Sequence, residues 1–113
     1  MSKDTPDLDY SASLAQAVVN TAQGVIGGTL GPVLAARAFI GIAAELGTLN
    51  DPDFAFFVEV DSASDHFPLG EARDAWSSRA LEREDRALYE YEALVRSDAI
   101  SHCRSLVEKY SQS

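Results

Sequence analysis

Apolar residues recur along this chain mostly at intervals of three and four, the period of a helix with one buried face. Between Leu8 and Ile26, Leu14, Val18, Ala22 and Val25 share such a face, with Ala15, Val19 and Ile26 beside it. Ser11 or Ser13 is placed to cap this helix through its hydroxyl, and Gly27-Gly28 to end it. Gly31-Pro32 then opens a second helix, since proline fits the first turn, where an amide has no partner. Leu34, Ala35, Ala38, Phe39, Ile42 and Leu46 form its apolar stripe, and Gly47 its C-terminal cap. The short Gly27 to Gly31 connection predicts an antiparallel helical hairpin.

Asn50-Asp51-Pro52-Asp53 carries a cap, a proline and early negative charge, all helix-start signals. The run from Phe54 to Val60 that follows is rich in strand-forming residues. A short helix is the preferred reading, because Phe54, Phe57, Val58 and Asp61 fit one face and no second strand is evident. A loop over Asp61 to Pro68 leads to a short helix from Leu69 to Trp76. Ser77 and Ser78 cap the last and longest helix, running to about Tyr110. Its seam is Leu81, Leu88, Val95, Ala99, Cys103, Leu106 and Tyr110, with mixed charges such as Arg83, Glu84, Arg86, Glu90 and Glu92 on the solvated side. The pattern predicts an all-α fold: a small bundle of four to five helices with an N-terminal helical hairpin and a long C-terminal helix. Residues 1–7 read as a loose arm and residues 8–113 as a single helical domain.

Composition agrees with that picture and narrows the partners. A chain of 113 residues, 46% hydrophobic and 24% charged, builds one core without disulfides or structural metal. The single cysteine, Cys103, and an N-terminus without a basic region followed by an apolar run point to the cytoplasm. The formal net charge is -9, which repels phosphate backbones and anionic membranes and favours a basic protein partner. No nucleic acid, membrane or cofactor is expected.

The least generic stretch runs from Asp61 to Gly70, with Glu71, Arg73 and Trp76 behind it. Asp61, Asp65 and His66 offer an alternative metal or acid-base site. They are too few for a usual zinc set, the only other histidine being His102, and the calcium-loop pattern fails. The preferred reading is structural: Asp61, Ser62, Ser64 and Asp65 cap helix ends, Arg73 pairs with Asp61 or Asp65, and Trp76 anchors the loop. Asp98 and His102 stand one helical turn apart, which suits a hydrogen bond or half a metal site. Cys103 lies on the apolar seam and reads as a buried small hydrophobe, not a nucleophile. Gly24, Gly27, Gly28 and Gly31 lack the lysine and preceding strand of a phosphate loop. The uncharged stretch from Leu14 to Ala36 contains Asn20, Thr21, Gln23, Thr29 and Pro32, too polar a set for a membrane span.

Charge layout is the stronger functional signal. No lysine or arginine lies between Arg37 and Arg73, yet Glu45, Asp51, Asp53, Glu59, Asp61, Asp65 and Glu71 fall inside that span. These seven acids are the expected partner-binding patch, with Phe56, Phe67 and Tyr10 as anchors wherever they are exposed. The string Asp51-Pro52-Asp53-Phe54, then Asp61-Ser62-x-x-Asp65-His66-x-Pro68-x-Gly70, then Arg73 and Trp76, resembles a pattern in small uncharacterised bacterial helical proteins. The likeness covers about the central quarter of the chain. It implies a bacterial cytoplasmic protein of immunity type, encoded beside a toxin or secretion system, and transfers no catalytic residue. The expected function is therefore a non-enzymatic protein-binding module, immunity- or antitoxin-like, neutralising a basic partner through an acidic corner. The alternatives are a metal-dependent enzyme or sensor at Asp61–His66, and a structural homo-oligomer, such as a homodimer, using the C-terminal helix.

Overall fold

A computed structural model describes residues 4–111, with side chains from residue 9 onward. Its elements are α1 (Asp4–Gly27), α2 (Pro32–Leu46), α3 (Pro52–Ser64), a 3-10 turn (Gly70–Ala75) and α4 (Ser78–Tyr110). The fold is all-α, with no strand among the described residues.

Helix α1 begins at Asp4, so Ser11 and Ser13 lie inside it and cap nothing, and it takes in part of the arm expected at 1–7. Met1 to Lys3 of that arm fall outside the described residues. The helix ends as its glycines predict. Gly28 adopts φ 85°, a left-handed conformation that costs glycine nothing, and the amides of Thr29 and Leu30 return to the Gly24 carbonyl.

Helix α2 has proline in its first turn but no side-chain cap of its own, because Gly31 occupies the capping position. Glu92 of α4 supplies the missing acceptor: its carboxylate takes the Val33 amide at 3.0 Å. A negative group here also meets the positive end of the helix dipole. A Cβ on Gly31 would fall 2.5 Å from that carboxylate, so any larger residue here must push the Glu92 side chain aside. The buried line of α2 is Ala35, Phe39 and Ala43; the expected stripe was too broad, since Leu34 is 51% exposed and Ala38 is exposed. Leu34 precedes Ala35 by one position, which turns it about 100° off that line.

The segment from Phe54 to Val60 is helical. Asp51 caps α3 by accepting the Asp53 amide at 2.9 Å, and Pro52 follows in the first turn. The helix runs through Asp61 to Ser64, so the loop expected from Asp61 begins instead at Asp65. No glycine or proline interrupts the chain before Pro68, and the Ser64 hydroxyl donates back to the Val60 carbonyl at 2.6 Å. The helix expected over Leu69 to Trp76 is a 3-10 turn, after which Ser77 caps α4 by accepting the Ala80 amide at 3.1 Å. Ser78 is the first helical residue and not a cap.

Three phenylalanines centre the core. Phe39 meets Phe57 at 4.7 Å and Phe54 at 5.8 Å between ring centroids, and all three are essentially inaccessible. Val18, Ala22 and Val25 of α1 and Ala99, Cys103 and Leu106 of α4 close around them. Helix α4 has 33 residues, about 50 Å of rod, whereas α2 and α3 have 15 and 13. The shorter helices cannot cover it all. Of its apolar seam only Ala99, Cys103 and Leu106 are fully buried, and Leu81, Leu88, Val95 and Tyr110 are half-buried. The molecule is consequently long, 58 × 28 × 23 Å.

Candidate functional site

The acids of the central span divide into two groups once folded. The first is consumed by an interhelical cluster. Asp53, in the first turn of α3, is only 7% exposed. Three side chains on one face of α4, spaced three and four apart, converge on its carboxylate. Ser105 Oγ donates to Oδ2 at 2.6 Å, Lys109 Nζ to Oδ2 at 2.8 Å, and His102 Nδ1 meets Oδ1 at 2.7 Å. Lys109 also donates to both oxygens of Asp51, at 2.8 and 2.9 Å. Phe56 stacks on the His102 ring, with centroids 4.5 Å apart and planes 24° from parallel.

Burial alone would raise the pKa of Asp53. The hydrogen bonds from Lys109, Ser105 and His102 outweigh it, and the carboxyl lies below its ordinary value. The lysine shifts the other way: hydrogen bonds to Asp51 and Asp53 raise its pKa. Although Ser105, His102 and Asp53 are the residue types of a nucleophilic relay, serine and histidine both bind the carboxylate and not each other. The hydroxyl is therefore not paired with the imidazole as a relay requires, and the cluster joins the start of α3 to α4. The Asp98–His102 hydrogen bond expected from spacing does not form, because Asp53 takes the Nδ1 position.

Other acids of the span are also partly engaged. Glu45 accepts the Tyr10 hydroxyl at 2.5 Å, a bond that raises the tyrosine's pKa. Asp61 pairs with Arg37 Nε at 3.4 Å, and the same guanidinium reaches the Ser64 carbonyl at the C-terminus of α3. Arg73 does not meet Asp61 or Asp65. It forms a two-pronged pair with Asp85 of α4, at 2.7 and 3.0 Å, and so fastens the 3-10 turn to the long helix.

The second group is left outward. Glu59, Asp65 and Glu71 are exposed, as is Asp74, and none has a cation within ion-pair distance among the described residues. Asp65, Glu71 and Asp74 belong to the one connection between α3 and α4, and Trp76 ends that connection 38% exposed. Of the expected anchors, Phe67 is buried, Phe56 is half-buried against His102, and Tyr10 is 53% exposed. Trp76 is the partly open aromatic group of this connection.

His66 is exposed beside Phe67. No set of three or more His, Cys, Asp or Glu side chains converges on a metal-sized site among the described residues, so Asp61, Asp65 and His66 are not gathered into one. Cys103 is fully buried, and burial, followed by the nearby Asp53 charge, pushes its thiol up to about 12. A thiol so placed stays protonated and unreactive. No helix among the described residues is long and apolar enough to cross a membrane. No protein-family model matches the chain, nor does a curated protein or a solved structure.

Proposed function

We propose that the chain is a non-enzymatic protein-binding module, immunity- or antitoxin-like, that takes a basic partner on the connection between α3 and α4. One observation carries this reading. Asp65, Glu71 and Asp74 stand exposed without a cation in reach among the described residues, on the same short connection as the partly exposed Trp76. An aromatic group on the same connection as several like charges suits a cationic surface, since tryptophan contributes strongly to binding once desolvated and the charges speed encounter. Glu59 of α3 extends the patch. Asp51, Asp53 and Asp61 support the fold and contribute field more than contact. The free thiol of Cys103 fits a reducing compartment, and the cytoplasm is the proposed location.

The test is capture of partners from the native host by the whole chain, compared with the variant Asp65→Asn/Glu71→Gln/Asp74→Asn/Trp76→Ala. A stoichiometric basic protein is expected with the wild type, its recovery falling with rising salt, and it is expected to be lost with the variant. Circular dichroism should show both chains equally folded. Retention of the same partner by the folded variant would refute the assignment.

A further inference from the structure

Helix α4 turns one long face away from the bundle. Arg86, Glu90, Ala93, Ser97, Arg104 and Glu108 are exposed along it, together with Ser101. Their spacings are 4, 3, 4, 4, 3 and 4, so the stripe is the same read in either direction from Ser97. Twenty-two residues over about six turns match a straight helix closely, and the stripe stays on one side throughout. It lies opposite the buried Ala99, Cys103 and Leu106.

The chemistry is palindromic as well. An antiparallel copy centred on Ser97 sets Arg86 against the second copy's Glu108, and Glu90 against its Arg104. Each pairing occurs twice by symmetry. None of these four charges has an ion-pair partner within its own chain among the described residues. Arg86–Glu90 and Arg104–Glu108 are one turn apart, but with the arginine on the N-terminal side, the less favourable order. Between the charges the stripe is small: Ala93, Ser97 and Ser101 permit helix axes to approach at about 8 Å. Leu94, 79% exposed beside the stripe, then covers the second copy's Ser101, and Ile100 covers its Ala93. A shallow groove over Ser97, Ile100 and Ser101, walled by Arg96 and Arg104, marks the seat. A parallel copy would oppose arginine to arginine and glutamate to glutamate.

We infer that the outer face of α4 binds a second copy of this chain in an antiparallel, two-fold pair centred on Ser97. The inference is independent of the basic-partner reading, since it uses a different surface. A seam of about 33 Å buries on the order of 700 Å² in total, below the ~1,200 Å² of stable interfaces. The pair is accordingly weak and transient.

Sedimentation equilibrium of the full chain at low salt, over micromolar to submillimolar concentrations, is expected to show monomer passing to dimer. Glu90→Arg should weaken the dimer about tenfold, because it opposes arginines twice. Glu90→Arg/Arg104→Glu should restore it, because the swapped charges remain complementary. Independently, Ser97→Cys should oxidise to a covalent dimer, as its two copies meet at the axis within disulfide reach. Glu82→Cys should not, its copies being about 45 Å apart. The buried Cys103 takes no part. A monomer at every concentration, a dimer indifferent to Glu90→Arg, or equal cross-linking from both cysteine variants would overturn the pairing.

Discussion

Replacing Asp53 by asparagine preserves shape and removes the charge on which three α4 side chains converge. The new amide oxygen can still accept from Ser105 and Lys109, but as a neutral and weaker acceptor, and its NH2 group is left against His102 Nδ1, which must then turn from donor to acceptor. Hydrogen bonds to charged groups contribute about 1.5–3 kcal/mol each, and breaking a buried charged set costs somewhat more than one of them. His102 and Lys109 recover part of this, because their side chains are 32% and 42% exposed and reach water. A net loss of about 2–4 kcal/mol is expected, out of a total stability of about 5–15 kcal/mol. For a chain of 113 residues this lowers Tm by about 8–16 °C. The sign of the pH dependence follows from the lowered pKa of Asp53. Its contribution is present above the unfolded carboxyl value near ~4 and is lost as pH falls through the folded value. Thermal melts from pH 7 down to pH 2 should show the wild type losing its advantage over Asp53→Asn in that acid range. A variant within about 1 kcal/mol of wild type at pH 7, or a gap unchanged at pH 2, would refute that role for the cluster.

Three further outcomes test the packing. Gly31→Ala should cost about 1–2 kcal/mol, since its Cβ displaces the Glu92 carboxylate from the Val33 amide, and Glu92→Ala should cost a similar amount. The double variant should cost less than the sum, as read from urea titrations. Cys103, with a pKa pushed up to about 12, should resist a thiol reagent at pH 8 in the folded chain and react promptly in denaturant. Phe39→Ala, at the meeting of three rings, should lose about 3–5 kcal/mol in the same titration.

The helices were legible because this chain punctuates them strongly. Gly27 to Pro32 and Gly47 to Pro52 break the apolar period where the backbone turns, and Ser77 stands where its hydroxyl is needed. At Phe54 to Val60 the start signal from Asp51 and Pro52 outweighed strand propensity, which reflects packing context more than backbone preference. Cross-helix chemistry was not legible. Asp53 meets its α4 partners across 49, 52 and 56 positions, and Glu92 reaches Val33 across 59. No spacing rule spans such separations. The gap without bases misled for the same reason: Arg37 and Lys109 lie outside the acidic span in sequence but fold back onto it. Spacing also cannot register that α1, its main packing partner, and the still shorter α2 and α3 leave much of α4 facing water.

The folded charges are therefore sorted in a way that net charge conceals. Of the nine bases, Arg37, Arg73 and Lys109 are bound to acids within the chain, and Lys3 lies outside the described residues. The remaining five, Arg79, Arg83, Arg86, Arg96 and Arg104, all lie on α4, interleaved with acids. The connection from Asp65 to Ala75 keeps a single cation, Arg73, already occupied by Asp85. One surface is thus mixed in sign and the other nearly pure. The two proposed associations should respond differently to composition: a charge swap preserves a mixed surface against its own copy, but no swap preserves a single-sign surface against a cationic one. In the antiparallel pair the two acidic connections also lie at opposite ends, about 55 Å apart by helix rise. Each can then take its own partner without obstruction, and a target presenting two basic sites at that span would gain affinity from pairing alone.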